Sequence, residues 1–153
     1  MEGRLSIRAA SRADTGFLAD CNAAMARETE AKALPRERLE AGVAGVFDEP
    51  RRGFYRIAER DGEAVGSLLV TFEWSDWRNA DFWWIQSVYV VPAARRTGIF
   101  RALYADVEAA AREAGAAGLR LYVERDNTSA QAVYDALGMH ECAYRMYERN
   151  FTS

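Results

Sequence analysis

Lysine, histidine and cysteine are all scarce in this chain of 153 residues, and each scarcity narrows what the chain can do. Lys32 is the single lysine; every other basic residue is arginine. Acidic residues outnumber basic ones to a net charge of −3, so the surface lacks the positive balance that nonspecific nucleic-acid binding requires. One histidine and two distant cysteines, Cys21 and Cys142, argue against a disulfide framework and against a structural zinc site. No metal is expected. The chain shows no signal-peptide pattern and no apolar run of membrane-spanning length, so a soluble, cytoplasmic setting without membrane contact is the expectation. Internal repeats, low-complexity tracts and linkers are also missing, and a single domain over 1–153 is expected. The Gly-x-x-x-x-Gly-Lys-Ser/Thr pattern of nucleotide phosphate loops is absent too.

What is present is ordinary for a globular protein: 50% hydrophobic and 28% charged residues, with length enough for a real core. Leu5–Ala9 alternates as a strand. Ser11 and Asp14 then offer N-caps for a helix with Phe17, Leu18, Cys21 and Met25 on its inner face, running to about Glu30. Pro35 opens a second helix with Leu39, Val43, Val46 and Phe47 inward. Gly42 and Gly45 weaken it, which suits either a movable wall or close packing. Phe54–Arg60 and Ala64–Phe72 read as strands joined by a tight Asp61-Gly62 turn, and 73–81 as a polar, aromatic loop. Phe82–Val91 is apolar on both faces, as a central covered strand is. A helix from Gly98 to about Ala114, a strand at Leu119–Glu124, a short helix closed by Gly138 and a last strand over Glu141–Glu148 complete the order β-α-α-β-β-β-α-β-α-β. That order predicts an α/β fold with a mixed, largely antiparallel sheet flanked by helices.

Two stretches carry chemistry. After Pro92 ends the central strand, Arg95-Arg96-Thr97-Gly98 leads into a helix whose apolar residues recur at 99, 100, 103, 104, 107, 110, 111 and 114. A helix N-terminus rimmed by Arg95, Arg96 and Arg101 favours an anion, and Gly98 lets it approach the backbone. Downstream, Asn127 stands where it can cap a helix or reach a ligand, and Ala130 lies one turn before Tyr134 on the same face. Near these, Trp74, Trp77, Trp83 and Trp84 cluster in sequence with Glu73, Asp76 and Asp81, a mixture suited to a cation. Alternation puts Trp83 and Trp84 on opposite sheet faces, and exposed tryptophans equally suit an interface.

Arg95-x-x-Gly98-x-Phe100 resembles the acetyl-CoA loop of the GNAT superfamily of N-acetyltransferases, with Phe100 in place of the usual small last residue. Asn127-x-x-Ala130-x-x-x-Tyr134-x-x-x-Gly138-Met139 resembles the later motif of the same superfamily. The resemblance implies a single acetyltransferase domain using acetyl-CoA and an amine acceptor. It implies a gap between the 82–91 and 118–124 strands, where the Val88 and Val90 backbone pairs with the pantetheine arm. It further assigns the pyrophosphate to the amides of Arg96, Thr97, Gly98, Ile99, Phe100 and Arg101, a cofactor contact to Asn127, and the general acid to Tyr134. Phe100 is expected to pack inward under the loop; blocking of the loop by its ring is the alternative.

The base has no carboxylate on the central strand, leaving Glu73 as the nearest candidate, through water, with Asp76 and Asp81 behind it. Deprotonating an alkylamine at pH 7 costs roughly 4–5 kcal/mol, so desolvation or a base has to offset it. The Val88 amide is a candidate oxyanion donor. The acceptor is a small cationic metabolite, an antibiotic or a protein amine; a non-catalytic acyl-CoA sensor is the competing reading, and a homodimer is reasonable.

Overall fold

The computed structural model describes residues 3–152, in two compact units that meet in sequence at Leu121 and Tyr122. The first unit holds a five-stranded sheet in the order β1-β2-β3-β4-β5: β1 (Leu5–Ala9), β2 (Gly53–Arg60), β3 (Glu63–Ser75), β4 (Ala80–Val90) and β5 (Gly118–Arg120). All neighbours are antiparallel except β4 and β5, which run parallel. Helices α1 (Thr15–Glu30), α2 (Arg36–Asp48) and α3 (Ile99–Glu113) belong to this unit. A short α4 (Thr128–Ala136) belongs to the second.

Strand alternation sorts the side chains. Tyr55 and Ile57 of β2 pack with Leu18 of α1 and Val43 of α2, with Leu69 of β3 against them. On the other face stand Leu68, Val70 and Ile85, under Leu103 and Val107 of α3, all 5% exposed or less. Arg56 fastens α3 to β2 through Asp106, at 2.8 Å. The Asp61-Gly62 hairpin forms as its residues dictate, with φ of 53° and 80°. Gly42 has open space where a side chain would stand, so close packing does not explain that glycine.

Three sequence expectations change at their edges. Glu73, Trp74, Ser75, Ala80 and Asp81 are strand rather than loop, because the β3–β4 ladder continues to the pair Ser75↔Ala80. The strand expected at Leu119–Glu124 keeps ladder partners only over Gly118–Arg120. No ladder forms over Glu141–Glu148 among the described residues, and Tyr144, Met146 and Tyr147 there are exposed. A strand exists through its partner's hydrogen bonds, and loose alternation alone supplies none. No helix among the described residues is long and apolar enough to cross a membrane.

Candidate active site

β4 carries one residue more than β3 needs. Ile85 stands opposite Val70 and Ser87 opposite Leu69, so Gln86 is bulged out of the ladder and exposed. On the other side, the parallel ladder to β5 ends at Trp84↔Arg120, one residue before Ile85. Residues 85–90 therefore have a ladder partner in β3 alone among the described strands. The Val91 N–H donates to Val65 of β3, so by alternation the backbone groups of Val88 and Val90 face the open edge. The Val90 carbonyl confirms the direction: it accepts from Arg95 Nε, at 2.9 Å.

The chain then makes one 3-10 turn over Pro92–Ala94 and enters the loop. Arg96 and Gly98 both take positive φ, 65° and 85°, which turns the loop sharply into the first turn of α3. No side chain caps that helix, and open space surrounds the α-carbon of Gly98. Arg96 and Arg101 are exposed beside it. Ile99 is buried against β3, 3.1 Å from where a side chain on Gly66 would begin. Phe100 is half-buried, its ring 6.2 Å from that of Tyr104, so it packs along the helix rather than across the loop. Thr97 donates to the Ala94 carbonyl and accepts from Arg60 Nη1, at 3.0 Å. Arg60 Nε is buried beneath the loop without a hydrogen-bond partner.

Arg95 does more than rim the loop. Its second contact is Glu28 at the end of α1, which also accepts from the Tyr89 hydroxyl at 2.6 Å. Tyr89 and then Arg95 hold the Glu28 carboxyl below its usual range. Burial, followed by the Glu28 contact, pushes the Tyr89 hydroxyl up. On the same face, Glu73 Oε1 accepts from the Trp84 indole at 2.7 Å and from Arg120 at 2.9 Å. Those two donors lower the Glu73 pKa, the indole having the larger effect. Arg120 also lies 3.5 Å above the Phe82 ring, so the last rung of the β4–β5 ladder is held from both sides.

An open strand edge feeding an arginine-rimmed helix N-terminus is the arrangement that the resemblance to GNAT proteins implies. Residues 18–139 match the acetyltransferase (GNAT) family. The chain belongs to that family. A mycothiol acetyltransferase of Streptomyces griseus is 35% identical over 131 residues, covering 83% of this chain and 39% of that protein. A second, from Streptomyces avermitilis, is 34% identical, and the chain again spans 39% of its length. Among solved structures, a possible acetyltransferase from Clostridium difficile 630 superposes with a TM-score of 0.90 at 39% identity, over 97% of this chain and 99% of that one. An aminoglycoside N-acetyltransferase in complex with CoA shares the fold, with a TM-score of 0.80 at 17% identity over 99% and 98% of the two chains.

In the second unit, the later motif builds one short helix. Asn127 is its N-cap, accepting from the Ala130 N–H at 3.2 Å. Ala130 and Tyr134 are half-buried on one face, and burial raises the Tyr134 pKa. Gly138, with φ of 92°, ends the helix and lets Met139 N–H reach the Tyr134 carbonyl. The spacing Tyr-x-x-x-Gly-Met is thus a helix stop as well as a family signature.

Sequence reasoning missed Arg60, Glu28, Tyr89 and Arg120. Arg60 lies beside the Asp61-Gly62 turn and reads there as an ordinary strand-end charge. Glu28 lies 67 positions from Arg95. The packing of α1 on the sheet and the register of β3, β4 and β5 bring such residues together, and no local pattern records it.

Proposed function

We propose that this chain transfers an acetyl group from acetyl-CoA to a primary amine, by direct attack with both substrates bound. The observation that carries the reading is the β4 edge over residues 85–90, which has no β5 partner and runs straight into the arginine-rimmed loop. The residues present fit the co-substrate. Val88 and Val90 offer backbone groups to its amide-bearing arm. Arg95 leaves one lone pair on the Val90 carbonyl for a ligand N–H. The loop from Arg96 to Arg101 is uncapped, open at Gly98 and underlain by the unpartnered Arg60 Nε, which suits a pyrophosphate. Asn127 and Ala130 are assigned to the co-substrate on their motif.

Bound acetyl-CoA supplies a thioester with a thiolate leaving group. The Val88 N–H is our candidate donor to the thioester oxygen as charge builds there. Tyr134 is assigned the proton donation to the leaving sulfur; its raised pKa keeps the hydroxyl protonated at neutral pH. Glu73 is ionised at neutral pH, and its lowered pKa makes it a poor proton acceptor by itself. We assign it the attraction of the ammonium form and the holding of a water that relays the proton. The acceptor class is a small cationic metabolite, an antibiotic or a protein amine. The family match runs across both compact units, and we treat them as one functional domain.

The engagement of Glu73 by Trp84 and Arg120 favours a second reading, an acyl-CoA-binding sensor without turnover. One experiment separates the two: thermal shift with acetyl-CoA, coupled to free-thiol detection across an amine panel. Thiol release that requires both acetyl-CoA and an amine supports the transferase. A thermal shift without thiol release from any amine supports the sensor, and no shift at all refutes both. A homodimer also remains our proposal, supported by the exposed Tyr144, Tyr147 and Phe151. Light scattering on the eluting protein tests it, and a monomer mass refutes it.

A further inference from the structure

The β3–β4 register builds a second feature at the hairpin end of the sheet. Phe72 stands opposite Trp83 and Trp74 opposite Asp81, so all four side chains rise on the α3 face. Asn79 of the hairpin and residues 114–116 at the end of α3 complete the walls of a cavity of about 310 Å³. That volume is at the small end for ligand pockets. Trp83 is fixed there by edge contacts from Phe54 and Phe72, with centroids 5.2 and 5.5 Å away. Trp74 is 60% exposed, a large indole surface left at the opening.

Charge decides what this cavity fits. Asp81 is partly buried, and among the described residues no hydrogen bond or ion pair engages its carboxylate. Two arginines near it, Arg78 and Arg120, are committed to the opposite face, and the exposed Arg112 stands in the last turn of α3. Arg78 lies 4.9 Å over the Phe82 ring, and Arg120 lies over the same ring while pairing with Glu73. The α3 C-terminus adds the negative end of a helix dipole. The aromatic surface accepts a cation, and the carboxylate without a partner and the helix C-terminus favour a positive charge over an anionic one.

We propose that this cavity binds a small organic ammonium ion, at a site separate from the acetyl-transfer edge. The phosphate loop lies at the opposite end of α3, about 22 Å away along the helix axis at its rise, and the open edge of β4 begins past the Trp84↔Arg120 rung, beyond the cavity's Trp83. Glu73 and Trp84, the cation-attracting pair on the other face, take no part in it.

Tetramethylammonium is the probe, with tert-butanol as its uncharged counterpart, titrated calorimetrically into the full chain with and without CoA. The cation binds saturably, the alcohol does not, and CoA leaves the affinity unchanged. Trp74→Ala and Asp81→Asn each weaken binding about five- to thirtyfold. Trp74→Phe, which keeps an aromatic face, retains most of it, and Glu73→Gln leaves it intact. Thermal melts verify that each variant is folded. The proposal is overturned if cation and alcohol bind alike, if binding never saturates, or if Glu73→Gln weakens it as much as Asp81→Asn.

Discussion

Deleting Gln86 should separate stability from co-substrate binding. Gln86 is the surplus residue of the β4 bulge, so removing it leaves Ile85 opposite Val70 and Ser87 opposite Leu69. Ile85 stays on the α3 face, Ser87 on the α1–α2 face, and every later side chain keeps its side. No core contact is removed, and the exposed glutamine contributes little. The expected stability change is within about 1 kcal/mol, a Tm shift of about 4 °C at most. What changes is the path of β4 after residue 85, because a bulge bends its strand and increases its twist. A regular β4 no longer presents Val88 and Val90 to the gap beyond Trp84↔Arg120. Losing two backbone hydrogen bonds to the pantetheine arm, each about 0.5–1.5 kcal/mol, weakens CoA roughly 5- to 150-fold. Calorimetric titration of CoA, beside a urea melt, reads both quantities. Gln86→Ala keeps the bulge and should bind like the parent, since the effect lies in residue count. A folded deletion variant with parental CoA affinity would refute the reasoning, as would equal losses in Gln86→Ala and the deletion.

Three further outcomes follow from single residues. Tyr134→Phe removes the hydroxyl that burial keeps protonated, so turnover falls about 10²- to 10⁴-fold while CoA affinity holds; parental turnover in the acetyl-transfer assay would remove Tyr134 from the acid's role. Gly42→Ala fills open space in the exposed middle of α2 and should stabilise by up to about 1 kcal/mol, read as a Tm rise of about 2–4 °C. Asp14 accepts from both terminal nitrogens of Arg8 and from the Ser11 N–H, and Arg8 above all holds its pKa below the ordinary 3.8. A depressed carboxylate pKa stabilises the fold above the unfolded value and loses that contribution as pH falls through the folded one. Asp14→Asn should therefore cost about 1–2 kcal/mol at pH 7, moderated by the exposure of Arg8, with the difference shrinking as pH falls below 3.8 in parallel denaturant melts.

Much of this architecture can be read from one sequence, for local reasons. The Asp61-Gly62 turn, the Gly98 entry to α3 and the Gly115 and Gly138 helix ends are dictated by residues at the site itself. The opposite facing of Trp83 and Trp84 follows from period-two alternation. The Gln86 bulge is hidden because Phe82–Ile85 is apolar on both faces, so no alternation leads up to Gln86-Ser87 that a surplus residue could break. The early end of β5 is hidden because Leu121, Tyr122 and Val123 continue a β-like pattern past the last ladder pair. Glu73 reads as an exposed carboxylate, but its grip on Trp84 and Arg120 depends on strand register across three strands.

The glycine at position 66 has a consequence for how the phosphate-loop motif is inherited. Ile99 opens α3 directly above it, in space that a methyl group on β3 would crowd, with the Tyr89 carbonyl as near on the other side. The height of the loop over the sheet is thus set by an omission on a neighbouring strand, outside the motif. Residues 92–104 are not a portable cassette: grafted onto a sheet with alanine or valine at this place, they would keep their pattern and lose their seat. A side chain at the β3 glycine requires the first residue of α3 to give way by a few tenths of an ångström or to be smaller.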